Sequence, residues 1–174
     1  MPATRLALAL GANLPSPVGG PRQTLVAVRP RLEALLAAWA DAGFDGITGA
    51  GDGRDSGVRY AWSPLFDTAP VGGPPDQPGY CNAVVLATGD FGAPGVDRSL
   101  ALLEQLHGLE RQWGRDRAHE QRWGPRTLDL DVLFWEELRL EHPRLVLPHP
   151  RLHLRTFVLE PLLAAMRTSS AWAA

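Results

Sequence analysis

The sequence predicts an α+β domain built on one antiparallel sheet, and three observations carry the prediction. Runs with the two-residue period of strands and the 3.6-residue period of helices follow the order strand, helix, strand, strand, helix, strand. The two middle strand runs are separated by a connection rich in Pro and Gly and are expected to pair as antiparallel neighbours. A chain of 174 residues has room for one full core and not for two ordinary domains. That order is the split βαβ arrangement of a ferredoxin-like sandwich, with a C-terminal hairpin and short helix beside the sheet. Residues 1–174 are expected to be one domain, with 166–174 a disordered tail.

Each element has its own signal. Residues 5–10 read as a short apolar strand, broken by Gly11-Ala12-Asn13-Leu14. Between positions 23 and 42, Leu25, Val28, Leu32, Leu35, Leu36 and Trp39 recur at helical spacing. Pro21 suits the first turn of that helix, Pro30 implies a kink or a later start, and Gly43 is the expected C-cap. Residues 43–57 hold six Gly and three Asp and read as a long loop. One strand is expected over 58–68 and another over 80–88, joined by a turn-rich stretch with four Pro and three Gly. Asp97 is placed to cap a second helix whose Leu102, Leu106, Leu109 and Trp113 share a face, and Gly114 ends it. A polar loop over 115–121 leads to a strand over 127–132. A hairpin over 138–147, a turn at Pro148-His149-Pro150 and a helix over 156–165 complete the chain.

Composition excludes several functions. All 17 basic residues are Arg, so mechanisms that need a phosphate-binding or Schiff-base Lys are ruled out. A net charge of −2 argues against general nucleic-acid binding. No apolar run approaches the roughly 20 residues of a membrane-spanning helix. The single Cys81 excludes an internal disulfide and agrees with a reducing compartment. The first residues lead directly into a strand, so no signal peptide and a cytoplasmic location are expected.

The chemistry concentrates in Arg122-Trp-Gly-Pro-Arg-Thr-Leu-Asp-Leu-Asp131. On a strand, Thr127, Asp129 and Asp131 fall on one face and Leu128, Leu130 and Val132 on the other. Carboxylates two residues apart on a strand have Cα atoms about 6.5–7 Å apart, close enough to bracket cations. Among apolar neighbours, two like charges need something positive beside them. Positions 111–126 supply it, with Arg111, Arg115, Arg117, Arg122 and Arg126 against Asp116 and Glu120. Carboxylates for a hard metal and guanidiniums for an anion suit a metal-bound polyphosphate. The alternative is a solvated acidic face, which the flanking apolar residues disfavour. Arg115 and Arg126 are the arginines placed best to act.

Other candidates are weaker singly. His149 is held between two prolines near Arg144, Arg151 and Arg155, and holding phosphate suits it better than abstracting a proton. Tyr80, Trp123 and Phe157 offer flat apolar faces, and the Asn82 amide can donate to and accept from a heterocycle edge. Each aromatic alone is better explained as core than as a ligand contact, and only adjacency in sequence to the site candidates favours the second reading. Glu110 either supports Arg115 or is an exposed acid.

The chain resembles the 6-hydroxymethyl-7,8-dihydropterin pyrophosphokinases over about residues 5–163. The decapeptide ending at Asp131 is the most specific match. Gly11-Ala-Asn-Leu14, Thr68-Ala-Pro-Val-Gly72, Asp76-Gln-Pro78, Tyr80-Cys-Asn82 and Leu147-Pro-His-Pro-Arg-Leu-His153 support it, with Arg155 and Phe157. The resemblance implies pyrophosphoryl transfer from ATP to the pterin hydroxymethyl oxygen, with release of AMP, in folate biosynthesis. It implies two Mg²⁺ ions carried by Asp129 and Asp131, with Arg115 and Arg126 on the phosphates as catalytic groups. It places Glu110, Arg117, Arg144, His149 and Arg155 on the nucleotide side. Thr68, Val71, Tyr80, Asn82, Trp123 and Phe157 would form the pterin pocket, with Tyr80 and Phe157 as the sandwich. The loops at 12–20, 43–57 and 115–122 resemble those that close over substrates.

Four departures stand out. Ala12 replaces a usual Ser, Leu154 a common Glu, residues 43–57 are longer and more Gly-rich than the pattern, and the chain ends soon after Leu163. A catalytically silent pterin- or nucleotide-binding homologue is the competing expectation, followed by another metal-dependent phosphotransferase on the same scaffold. The expected partners are the two small substrates, with no nucleic acid or membrane, and the expected state is a monomer.

Overall fold

The computed structural model describes residues 3–42 and 57–170. Strand β1 (Thr4–Ala12) is followed by helix α1 (Pro21–Asp41), strands β2 (Arg59–Trp62), β3 (Phe66–Thr68) and β4 (Tyr80–Gly89), and helix α2 (Val96–Gln112). Strand β5 (Asp129–Trp135), the hairpin β6 (Leu140–His142) and β7 (Leu145–Leu147), and helix α3 (Thr156–Ser170) follow. The main sheet runs β2-β4-β1-β5, with β3 on the same edge of β4 as β2, and every pairing is antiparallel. The expected α+β class and antiparallel sheet are therefore observed.

Alternation divides the sheet into two faces. On one, Leu6, Leu8 and Leu10 of β1 meet Leu25, Val28, Leu32 and Leu36 of α1 and Leu102 and Leu106 of α2. On the other, Ala7, Val84, Leu86 and Leu133 meet Val158, Leu162 and Ala165 of α3. Leu128, Leu130 and Val132 belong to the first core. Turning that segment over would forfeit roughly 5–9 kcal/mol of apolar burial, so the acids must take the opposite face. Near the end of β5 the register shifts: Leu8 pairs Val132 whereas Ala7 pairs Phe134, leaving Leu133 as an extra residue. The bulge returns Trp135 to the face covered by α1 and α2, its ring 5.0 Å from Trp39.

Several boundaries differ from expectation. Strand β1 continues through Gly11 and Ala12, because a Gly opposite two paired strands does not by itself stop a ladder. Ala12, fully buried in the helix-side core, gives the hydroxyl of a Ser no cleft to face. Helix α1 starts at Pro21 and runs across Pro30, so there is no later start. The strand expected over 58–68 is two, because Pro64 has no N–H for the ladder. Ser63 bridges the break, its hydroxyl accepting from the Val84 amide at 2.9 Å and donating to the Pro64 carbonyl at 2.8 Å. Helix α2 begins after Gly95, and Asp97 lies in its first turn with no side-chain cap bond. Strand β5 begins at Asp129, and a 3-10 turn at Leu152–Leu154 precedes α3. Helix α3 continues to Ser170, so 166–170 is helix where a tail was expected. Gly43, the loop over 43–56 and residues 171–174 lie outside the described residues.

Candidate active site

Three adjacent strands lay the floor of a cleft. Asn82 of β4 and Asp129 of β5 are each paired with Gly11 of β1, and Asp131 is paired with Ala9. Small residues on the middle strand keep this floor low. A Cβ at Gly11 would lie 3.1 Å from Asn82 Oδ1, tighter than an ordinary contact. The cleft above the floor has a volume of about 730 Å³, counting the part open to solvent. Thr68, Val71, Gln77, Tyr80, Trp123, Arg126, Arg155 and Phe157 wall it, and Gln77 reaches the Trp123 carbonyl at 3.3 Å.

A buried ionic network stands behind the acids, and a helix end aims it. Gly114, at φ +87°, closes α2 with a pair of bonds: its amide reaches the Arg111 carbonyl, and the Arg115 amide reaches the Glu110 carbonyl at 3.0 Å. This Schellman geometry needs a left-handed residue and folds Arg115 back over the last turn. Arg115 Nη1 then donates to Glu110 Oε1 at 2.8 Å and Asp129 Oδ1 at 2.6 Å, while its Nε donates to Glu120 at 2.9 Å. Glu110, 0% exposed, also accepts from Arg117 Nη2 at 2.6 Å and from the Leu130 amide at 2.8 Å, between the two acids. Arg126 Nη1 holds the other Asp129 oxygen at 3.2 Å.

The two acids are therefore inequivalent. Burial works to raise the Asp129 carboxyl, but Arg115 and Arg126 outweigh it and hold the carboxyl below its ordinary value. The Asp131 carboxylate has no hydrogen bond or ion pair among the described residues. Burial, reinforced by the Asp129 charge, pushes its carboxyl up to about 7. A buried carboxylate whose neighbour is another carboxylate is relieved by a cation. Two hard oxygen donors in a cleft that also holds arginines fit a divalent ion that takes its other ligands from water or a bound anion.

The opposite side of the floor presents an amide and aromatic rings. Asn82 donates from Nδ2 to Thr68 Oγ1 at 2.6 Å, which fixes the amide and leaves Oδ1 over Gly11 without a protein donor among the described residues. Tyr80 donates to the Gly124 carbonyl at 3.2 Å, and burial raises its phenol. Trp123 has a left-handed backbone (φ +59°), and the Arg122 and Arg151 guanidiniums lie 4.7 and 4.9 Å from its ring. Arg155 lies 5.5 Å from the Phe157 ring.

Of the residues singled out from the sequence, Thr68, Val71, Tyr80, Asn82, Trp123, Phe157, Arg126, Asp129, Asp131 and Arg155 line this one cleft. Arg115 sits behind Asp129 with its side chain 2% exposed. Glu110 is neither an exposed acid nor a cleft residue, because both its oxygens are spent on arginines and the Leu130 amide. It is corrected from the nucleotide-contacting set to a buried support. Arg117 is bonded to Glu110. Arg144 is exposed and paired with Glu104 of α2, away from the cleft lining. The His149 amide donates to the Leu133 carbonyl at 2.7 Å, and burial and then Arg155 lower its pKa, so the ring favours its neutral form. Gly11, Ala9 and Gln77 were missed; only the sheet register makes the first two a floor, and Gln77 stood inside a quoted motif without a role.

The fold and site together define an α+β protein whose cleft sets paired acids and arginines beside an amide and aromatic side chains. The family model for 7,8-dihydro-6-hydroxymethylpterin-pyrophosphokinase (HPPK) matches residues 7–167, and the chain belongs to that family. A 2-amino-4-hydroxy-6-hydroxymethyldihydropteridine pyrophosphokinase of Pseudomonas aeruginosa is 44% identical over 105 residues, covering 59% of this chain and 57% of the relative. One of the same name from Synechocystis is 43% identical over 90 residues, covering 52% and 42%. A mitochondrial folate synthesis bifunctional protein of Arabidopsis thaliana is 42% identical over 98 residues, covering 56% of this chain and 16% of the relative. The chain thus aligns with about half the length of these bacterial relatives.

Proposed function

We propose that the chain transfers a pyrophosphoryl group from ATP to the hydroxymethyl oxygen of 6-hydroxymethyl-7,8-dihydropterin, releasing AMP. The observation that carries this reading is the row Asn82, Gly11, Asp129 across three neighbouring strands. It sets a group suited to a heterocycle edge two strands away from a carboxylate gripped by Arg115 and Arg126. Asp129 and Asp131 would hold Mg²⁺, which when bound neutralises charge on the triphosphate and orients it.

The chain's own residues supply the rest. Thr68 fixes the Asn82 amide so that its Oδ1 can accept from the amino edge of the pterin, while Tyr80 and Phe157 flank the ring. That pose directs the hydroxymethyl group toward the acids. Its oxygen forms a bond to the β-phosphorus as the bond from that phosphorus to the oxygen of AMP breaks, and the hydroxyl proton is released. Arg126 and Arg155 stand in the cleft to take up phosphate charge, and Arg115 fixes Asp129 from behind. Such transfer depends on positioning and charge neutralisation more than on a strong base. The neutral His149 ring suits a hydrogen bond to phosphate.

Incubation with ATP, Mg²⁺ and the hydroxymethyl pterin, with nucleotide products resolved by chromatography, tests the reading. AMP and a pyrophosphorylated pterin in equal amounts are expected. ADP in place of AMP would mean ordinary kinase chemistry. Pterin binding without nucleotide consumption would mean a silent module.

A further inference from the structure

The segment from Trp123 to Arg126 has no helix or strand, and side chains hold its backbone at successive positions. Gln77 Nε2 donates to the Trp123 carbonyl at 3.3 Å and to the Gly72 carbonyl at 2.8 Å. The Arg126 amide donates to Asn13 Oδ1 at 2.8 Å, and the Arg126 carbonyl accepts from the amides of Asn13 and Leu14 at 3.0 and 3.1 Å. The two holding side chains are joined: Asn13 Nδ2 donates to Gln77 Oε1 at 3.3 Å and to the Pro78 carbonyl at 3.1 Å. Asn13 is 2% exposed although it lies outside any strand or helix. A polar side chain that is almost wholly buried, with its amide oxygen and nitrogen both bonded, is fixed in place.

We infer that Asn13 and Gln77 form an amide bridge that positions Arg126, and that through it the ring pocket and the phosphate-gripping side are set as one unit. Three loops meet in the bridge: the one after β1, the one between β3 and β4, and the one before β5. Gln77 itself lines the cleft. A ring seated there stiffens Gln77, and Asn13 passes the constraint to the Arg126 backbone, whose guanidinium holds Asp129. Neither amide touches the reacting atoms; both are positioning residues. This rests on the proposed pyrophosphoryl transfer only for its kinetic consequence, since the bridge itself is a matter of backbone restraint.

The test uses Asn13→Ala, Gln77→Ala and the double variant in the full chain, with two readouts. The first needs no turnover: amide hydrogen exchange across 122–127 in the ligand-free protein is expected to quicken about fivefold in each single variant, one bond of this kind contributing on the order of 1 kcal/mol. The second is kinetic. At saturating ATP and pterin, kcat of the folded fraction is expected to fall at least tenfold in Asn13→Ala, with the KM for ATP within about threefold of the parent. The double variant is expected to be no slower than the worse single one, as befits residues acting as a unit. Asn13→Asp keeps the acceptor for the Arg126 amide and should recover part of the lost exchange protection. Unchanged exchange at 122–127, independent additive losses in kcat, or a lowered Tm with kcat preserved would each overturn the inference. A parent chain without transfer activity would instead sink the proposed function, and the exchange result would still decide the bridge. Gln77→Ala, a change at a partly exposed loop residue, guards against Asn13→Ala failing to fold.

Discussion

Glu110→Ala perturbs the network at its most buried point. The carboxylate accepts from Arg115, Arg117 and the Leu130 amide while 0% exposed. Without it the Leu130 N–H has no acceptor inside the core, a loss of about 1–3 kcal/mol. Arg115 loses one of three acidic partners but keeps Asp129 and Glu120, so only part of the roughly 3–5 kcal/mol for breaking a buried pair applies. Arg117 adds little, because its side chain is 41% exposed and water can take it up. Together these give a destabilisation of about 3–5 kcal/mol. Glu110→Gln keeps one acceptor oxygen for Leu130 and Arg115 and should cost only about 1–2 kcal/mol. For a chain of this length each kcal/mol moves Tm by about 2–4 °C, so Ala should lower it by roughly 6–20 °C and Gln by roughly 2–8 °C. Urea unfolding of the ligand-free protein reads the difference directly if the slope with denaturant is unchanged. A Glu110→Ala chain within about 1 kcal/mol of the parent, or Gln as damaging as Ala, would refute this account of the network.

Asp129→Ala and Asp131→Ala should both abolish AMP release with the fold intact by circular dichroism. Their stabilities in urea should separate, since Asp129→Ala strips Arg115 of a partner whereas Asp131→Ala relieves like-charge repulsion and should stabilise the ligand-free chain; equal stabilities would refute the inequivalence. Burial, then Arg117, Arg115 and Arg111, push the His107 imidazole down from 6.5 to about 4. Between those values only the unfolded chain binds that proton, so this contribution is full above about 6.5 and is lost as pH falls toward 4. His107→Gln should accordingly flatten the rise of stability with pH over that window, and an unchanged slope would count against a neutral His107. Gly11→Ala should leave Tm within a few degrees but raise the KM for the pterin about tenfold, because the new methyl presses on Asn82; an unaltered KM would remove Gly11 from the cleft floor.

The elements legible in the sequence were those with strong periodicity. Leu25 to Trp39 and Leu102 to Leu109 announced their helices, and the alternation around Asp129 announced the face the acids would take. Boundaries read less well wherever a tertiary partner overruled a local signal. Gly11 looked like a strand breaker, yet pairing on both sides carries β1 through it. Asp97 looked like a cap, and Gly95 took the position. Pro64 splits an edge strand that read as continuous, and the repair comes from the Ser63 hydroxyl. In the site, Tyr80, Asn82, Asp129 and Asp131 were visible as residue types, whereas the small residues between them were not.

The chain by itself determined its antiparallel α+β class, its family and the side of β5 that carries the acids, because period and apolar burial leave one economical arrangement. Only the tertiary structure decided how the charges are apportioned. Glu110 lies 20 positions from the Leu130 amide it receives, and Asn13 lies 113 positions from the Arg126 amide it receives. Those bonds exist because sheet order brings distant segments together. Whether an acid is held by arginines or left beside a like charge depends on which neighbours survive beside it once water is gone.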